Sequence, residues 1–152
     1  MVIGLISDTH SLMRPEALAA LDGVALILHA GDVGERRVLQ ELEGIAPVQA
    51  VLGNTDDPAL GLPGRLDLRL GGLQVHVSHG HELGAPTPSR LVSSYRADVI
   101  VYGHTHKPCI EAHGGTLVVN PGAAGPRRFN LQPSVAILRL EDGRASATLV
   151  HL

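Results

Sequence analysis

The sequence predicts an α/β sandwich in which two packed mixed β-sheets are flanked by helices. Three observations carry this. The first third alternates Val/Ile/Leu runs with segments of helical spacing, in the order β-α-β-α-β. Those runs are apolar throughout, as strands covered on both faces are. The second half changes to strict apolar/polar alternation broken by Gly-Gly and Asp-Gly, the pattern of antiparallel hairpins. A chain of 152 residues without linker, repeat or low-complexity segment reads as one domain spanning residues 1–152.

In chain order, strands are expected over Val2 to Ser7, Val24 to His29 and Pro47 to Leu52. Helices fall between them, Pro15 to Leu21 and Glu35 to Leu42, the second opening on an acidic residue as a helix N-terminus prefers. Arg65 to Leu70 alternates, Gly71-Gly72 turns, and Leu73 to Val77 alternates back. Thr87 to Arg96 has helical spacing, and Asp98 to Tyr102 is another apolar run. Two further hairpins turn at Gly114-Gly115 and at Asp142-Gly143, the latter between Val135 to Leu140 and Ala145 to Val150. Strands that begin parallel and end antiparallel fit two layered sheets with helices outside. The alternating Arg65 to Val77 pair is either a solvated hairpin or an edge for a homo-oligomer.

Composition narrows the function. Hydrophobic residues are 44% of the chain but aromatics only 2%, so no stacking platform for single-stranded nucleic acid exists. A formal net charge of -3 argues against an extended nucleic-acid surface. The single Cys109 excludes an internal disulfide and fits a reducing compartment. The N-terminus shows no secretory pattern and no apolar run approaches the ~18 residues of a membrane span, so a cytoplasmic protein without membrane partners is expected. What is abundant is histidine, with nine residues.

In sheets of this kind chemistry gathers where the chain leaves the carboxyl ends of strands. Those exits read Ser7-Asp8-Thr9-His10, Ala30-Gly31-Asp32, Gly53-Asn54-Thr55-Asp56, Ser78-His79-Gly80-His81 and Gly103-His104-Thr105-His106. Chance supplies roughly 0.5 Asp-x-His pairs in such a composition, so one motif alone is weak. Five ligand-bearing exits in order, each after an apolar run, are a strong signal. Two adjacent divalent cations repel and need an anionic ligand between them. Asp32 suits that bridge, Asp8 supplies a second anion, and imidazoles with one amide oxygen make a mixed N/O shell. Manganese, iron, zinc, nickel or cobalt suits such a shell better than calcium or magnesium does.

On these blocks the chain resembles the calcineurin-like metallophosphoesterase superfamily. Within it the chain is similar to the small single-domain YfcE-type phosphodiesterases of E. coli and archaea. The resemblance spans Asp8 to His106 and implies the metallophosphoesterase fold. It implies that Asp8, His10, Asp32 and His106 hold one metal and that Asp32, Asn54, His79 and His104 hold the other, manganese being the first candidate. It further implies hydrolysis of a small phosphorylated substrate, a nucleotide phosphodiester among the candidates. The attack is in line, by a hydroxide bridging the two ions, with Asn54 and His79 beside the phosphoryl oxygens. Asn120-Pro121-Gly122 resembles the family's closing block, with Ala123 where a Ser is usual. Thr55 stands where monoesterases carry a His and small phosphodiesterases a Cys. Without an acid there, diesters or activated aryl esters should be preferred. A non-catalytic scaffold and a nucleotide sensor are the competing readings.

The remaining polar residues read as follows. His29 is either a buried strand end or a group orienting a ligand, and His81 either meets substrate or holds its loop. His76, His113 and His151 are expected on the solvated surface. Asp56 is expected to fix its loop through backbone hydrogen bonds rather than to orient a ligand, Arg127 and Arg128 to be a solvated pair rather than a fork on a substrate phosphate, and Cys109 to be a half-buried thiol.

Overall fold

The computed structural model describes residues 1–152. Ten strands form two five-stranded sheets. The first has the order β10-β9-β1-β2-β3, with β1 Val2–Ile6, β2 Leu26–His29, β3 Val48–Ala50, β9 Ser134–Glu141 and β10 Arg144–His151. The second has the order β4-β5-β6-β8-β7, with β4 Arg65–Leu70, β5 Leu73–Ser78, β6 Val99–Val101, β7 Cys109–His113 and β8 Thr116–Asn120. Both sheets are mixed. β1, β2 and β3 run parallel, with Ile3 opposite Leu26 and Ile27 opposite Val48, while β9 and β10 are added antiparallel. In the second sheet β5, β6 and β8 are parallel, and β4 and β7 close its edges antiparallel.

The period-two alternation of the strands decides the layering. Ile3, Leu5 and Leu28 of one sheet meet Val75, Val77, Val99, Val101 and Val119 of the other in one buried cluster, with Ala136 and Leu138 from β9. The opposite face of the first sheet carries Ile6 and Ile27. It is covered by α1 (Pro15–Ala20) and α2 (Arg37–Glu43) through Ala17, Leu21, Val38, Leu39 and Leu42. The outer face of the second sheet is covered by α3 (Pro88–Ser94), where Leu91 packs on Ile100, Tyr102 and Val118. The order is α/β/β/α, as the sequence predicts.

Two local expectations are corrected. α2 begins at Arg37, with no side-chain cap and no acidic residue in its first turn. Glu35 is outside it, its N–H donating to Ser11 Oγ and its carboxylate pairing with Arg37 at 2.7 Å. His76 is 1% exposed rather than solvated. Alternation on β5 places it away from the inter-sheet core, but α3 and Tyr95 cover that face as well. No helix is long and apolar enough to cross a membrane.

Candidate metal centre

The carboxyl ends of β1, β2, β3, β5 and β6 deliver the five predicted segments to one place, so both sheets contribute to it. Their chain reversals are tight. Asp8, His10, Asp32, His104 and His106 all have positive φ, between 45° and 69°. Each such residue costs on the order of 1 kcal/mol. Main-chain bonds hold the strained turns: Asp8 N–H donates to Gly31 O and His10 N–H to Asp32 O, both at 3.0 Å. Gly53 and Gly103 are required by close approach. A Cβ on Gly53 would overlap the Asp32 backbone nitrogen and Oδ1, and one on Gly103 would overlap Ser7 Oγ and press on Asp8 Oδ2.

Each aspartate divides its oxygens between the fold and the centre. Asp8 Oδ2 accepts from Ser7 Oγ at 2.7 Å and from His104 N–H at 3.2 Å. Its Oδ1 has no hydrogen-bond partner and faces His106 Nε2 at 3.4 Å, His79 Nε2 at 3.8 Å and His10 Nε2 at 3.9 Å. Asp32 Oδ1 accepts from Thr55 N–H at 3.0 Å, and its Oδ2 faces His79 Nε2 at 3.3 Å and His10 Nε2 at 3.7 Å. His79 Nδ1–H donates to Ala30 O at 2.7 Å, which turns Nε2 toward both carboxylates. Two groups of donor atoms result, Asp8 with His10 and His106, and Asp8 with Asp32 and His79.

The electrostatics follow from burial against charge. Burial opposes ionisation of Asp32, but His79 and the Thr55 amide outweigh it and hold the carboxyl below the usual range. Burial likewise works against the His79 cation, and Asp32 and Asp8 overcome it, raising that ring's pKa. Burial lowers the pKa of His10 despite Asp32 and Asp8, and burial with the neighbouring His79 lowers that of His104. Asp8 Oδ1, His10 Nε2 and His79 Nε2, which face one another here, are buried without hydrogen-bond partners. Each such orphan costs about 1–3 kcal/mol, and three of them gathered at the two aspartates call for a cation to satisfy them. The donor set therefore fits divalent metal ions held by mixed N/O ligands.

Not all predicted ligands lie in the two groups. Asn54 and His104 sit at a more open rim, paired through Asn54 Oδ1 and His104 Nδ1 at 3.2 Å, and the His104 ring meets His79 edge-on at 5.2 Å. His81 stands beside them, its ring 5.4 Å from His79. Thr55 is exposed.

Several residues support the centre. His29 is fully buried and accepts from Gly31 N–H at Nδ1, leaving Nε2–H for Thr9 Oγ1 at 3.0 Å. The Thr9 hydroxyl in turn donates to Val33 O at 2.8 Å, tying the Asp8 and Asp32 turns together. Burial lowers the His29 pKa to about 4, so the ring is neutral. Asp56 accepts from the N–H groups of Val33, Gly34 and Gly53, as expected of a loop-fixing residue. Asn120 Nδ2 donates to Gly103 O and Thr105 Oγ1, both at 3.0 Å, and so braces the His104 to His106 turn. The Asn-Pro-Gly block is visible in the sequence, although its bracing role is not. Ser7 carries no sequence signal beyond its place before Asp8.

Comparison with known proteins gives the family. Residues 1–143 match the model of the calcineurin-like phosphoesterase superfamily domain. A probable metallophosphoesterase of Methanothermobacter thermautotrophicus is 36% identical over 99% of this chain and 92% of its own length. The phosphodiesterase YfcE of Escherichia coli is 28% identical over 81% of this chain and 79% of its own. Among solved structures, a single mutant of Vps29 from Entamoeba histolytica superposes with a TM-score of 0.82 at 24% identity, covering 100% of this chain and 99% of its own. That likeness is one of fold. With a superfamily model spanning most of its length and a relative over a third identical end to end, the chain belongs to the calcineurin-like phosphoesterase superfamily.

Proposed function

We propose that the chain is a metal-dependent phosphodiesterase with a dinuclear centre. The observation that carries this is the group of three unpartnered buried donor atoms at Asp8 and Asp32, with His106 Nε2 beside them. Asp8, His10, Asp32 and His106 hold one cation. Asp32, Asn54, His79 and His104 hold the second, Asp32 lying between. The His104 and Asn54 contact supports this by placing an imidazole nitrogen and an amide oxygen side by side at the rim. Bound there, two divalent ions, manganese first among them, supply charge for the phosphoryl oxygens and lower the pKa of an attacking water.

The chain's own groups set the rest. His79 is fixed by Ala30 and Asp32 by Thr55, so the ligands are positioned before substrate arrives. Asn54 at the open rim and His79 buried beneath it orient the phosphoryl group from one side. Thr55 offers a hydroxyl of far too high a pKa to protonate a poor leaving group. Aryl or otherwise activated phosphodiesters are therefore the favoured class.

The test is hydrolysis of bis(p-nitrophenyl) phosphate by metal-free protein, by protein with manganese, and by Asp32→Asn. Turnover is expected only for the wild type with metal, and equal rates in all three would remove the proposal. If an alkyl monoester is hydrolysed faster than the aryl diester, the reading of Thr55 is wrong. A non-catalytic scaffold is the contrasting reading because the Vps29 likeness is one of fold. The retained buried ligands weigh against it.

A further inference from the structure

His106, one of the proposed metal ligands, has cations gathered about it. Lys107 follows it directly, and Arg127 and Arg128, on the loop after β8, line a narrow crevice with it. All three side chains are exposed and none is in an ion pair. Arg127 Nη2 reaches only Asn130 O, at 3.5 Å, while the Lys107 ammonium and the Arg128 guanidinium have no hydrogen-bond partner. The Arg128 charge is near enough to His10 to disfavour protonation of that ring. Phe129, the only Phe of the chain, is 77% exposed and stands edge-on to the His106 ring at 6.3 Å. It and Asn130 have φ of 56° and 54°, the left-handed region that a bulky residue rarely adopts. The loop is nevertheless pinned, because the Arg14 guanidinium donates to Gly125 O at 3.2 Å and Leu131 N–H to Arg128 O at 2.9 Å. Phe129 is thereby held out as one wall of a cavity of about 650 Å³, whose other walls include Tyr102, Pro86, Pro88, Thr105 and Lys107. Thr105 lies between His104 and His106, so the cavity opens beside the metal centre.

We infer that this side of the centre binds a second anionic group, a carboxylate or a phosphate, carried by the organic part of the substrate. The inference rests on the phosphodiesterase reading above and adds a charge to its substrate class. The charges of two divalent ions are matched by Asp8, Asp32, an attacking hydroxide and the single charge of a diester. Lys107, Arg127 and Arg128 therefore have no counterion in a simple diester. The protein supplies none either: Glu111, on β7, acts on Tyr102 and Cys109 but pairs with none of the three cations. Like charges on a free loop would spread apart, whereas this loop is anchored and keeps two of them beside His106. An arginine grips a carboxylate or phosphate through paired N–H groups, and Lys107 adds a point charge. Phe129 and Tyr102 give the organic body between the phosphoryl group and that anion an apolar surface to lie on.

A set of p-nitrophenyl diesters tests this, the second ester being phenyl, p-carboxyphenyl, p-phosphonophenyl or p-trimethylammoniophenyl. With manganese present, the wild type is expected to favour the better anionic ester about tenfold in kcat/KM over the phenyl ester and to disfavour the cationic one. Which anion leads tells a carboxylate from a phosphate. In Arg128→Met and in Lys107→Met the ratio is expected to fall toward one. Arg144→Met, at the opposite end of the first sheet, should leave it unchanged. All these side chains are exposed, so folding should survive, and thermal unfolding checks it. No preference in the wild type, preference for the cationic ester, a ratio unchanged in both folded rim variants, or an equal loss in Arg144→Met overturns the inference. Calorimetry separates it from the enzyme reading. Manganese-loaded protein should bind p-carboxyphenyl or p-phosphonophenyl phosphate about tenfold more tightly than phenyl phosphate, and Arg128→Met should lose the difference. Turnover without that difference overturns the anion site, whereas the difference without turnover overturns only the phosphodiesterase.

Discussion

Gly53→Ala replaces no metal ligand yet should disable the centre. Gly53 lacks a positive φ, so alanine's backbone is allowed and the effect is steric alone. The new methyl would overlap Asp32 N and Oδ1. Because one of the atoms in the way is main chain, rotating a side chain cannot relieve it. The turn carrying Asp32 must retreat by about 1 Å, breaking the bond from Thr55 N–H that fixes the carboxylate. Such misplacement of a catalytic group costs about 10²-fold, and the overpacking about 1–3 kcal/mol of stability. Gly64→Ala is the control, since Gly64 has ordinary φ and nothing within 4 Å of an added Cβ. The assay is kcat/KM for bis(p-nitrophenyl) phosphate with saturating manganese, beside urea unfolding of both variants. If Gly53→Ala stays within threefold of Gly64→Ala while folded, the precise placing of Asp32 is not what the centre depends on.

Other outcomes follow from the same geometry. Adding manganese at about a thousand times its dissociation constant should raise stability by about 4 kcal/mol, or Tm by about 10 °C, and a chelator should reverse this; an unchanged Tm would mean that the orphaned donors are not a metal site. His29 has a folded pKa of about 4 against 6.5 for the free ring. Between those values the unfolded chain takes a proton the native state refuses, so its contribution is complete above pH 6.5 and lost as pH falls toward 4, by about 3 kcal/mol. Unfolding of wild type and His29→Gln across that window measures it, and parallel pH profiles would rule it out. Leu91→Ala, at the fully buried contact of α3, should cost about 2–5 kcal/mol in urea unfolding; a loss below about 1 kcal/mol would show that α3 is not anchored there.

Most of the fold is legible because its signals are local. The apolar runs of β1, β2 and β6 show burial on both faces, and Gly71-Gly72, Gly114-Gly115 and Asp142-Gly143 mark hairpins that form where expected. The strand-exit residues are legible for the same reason, since each follows its strand directly. What the sequence conceals depends on contacts between distant segments. His76 reads as solvated because alternation gives a face but not what packs on it, and here Tyr95 arrives from the end of α3. His29 joins Thr9 and Gly31 across two strand exits, a link no local pattern encodes. Glu35 reads as the acidic start of a helix but is bound by Ser11 and Arg37 before the helix begins. The pairing of Asn54 with His104, 50 residues apart, likewise emerges only when the two sheets are layered.

Anomalous diffraction at the manganese edge from crystals soaked in manganese tests the dinuclear centre most directly. Two peaks are expected, one among Asp8, His10, Asp32 and His106 and the other among Asp32, Asn54, His79 and His104. No peak, a single peak, or peaks away from these side chains would contradict it.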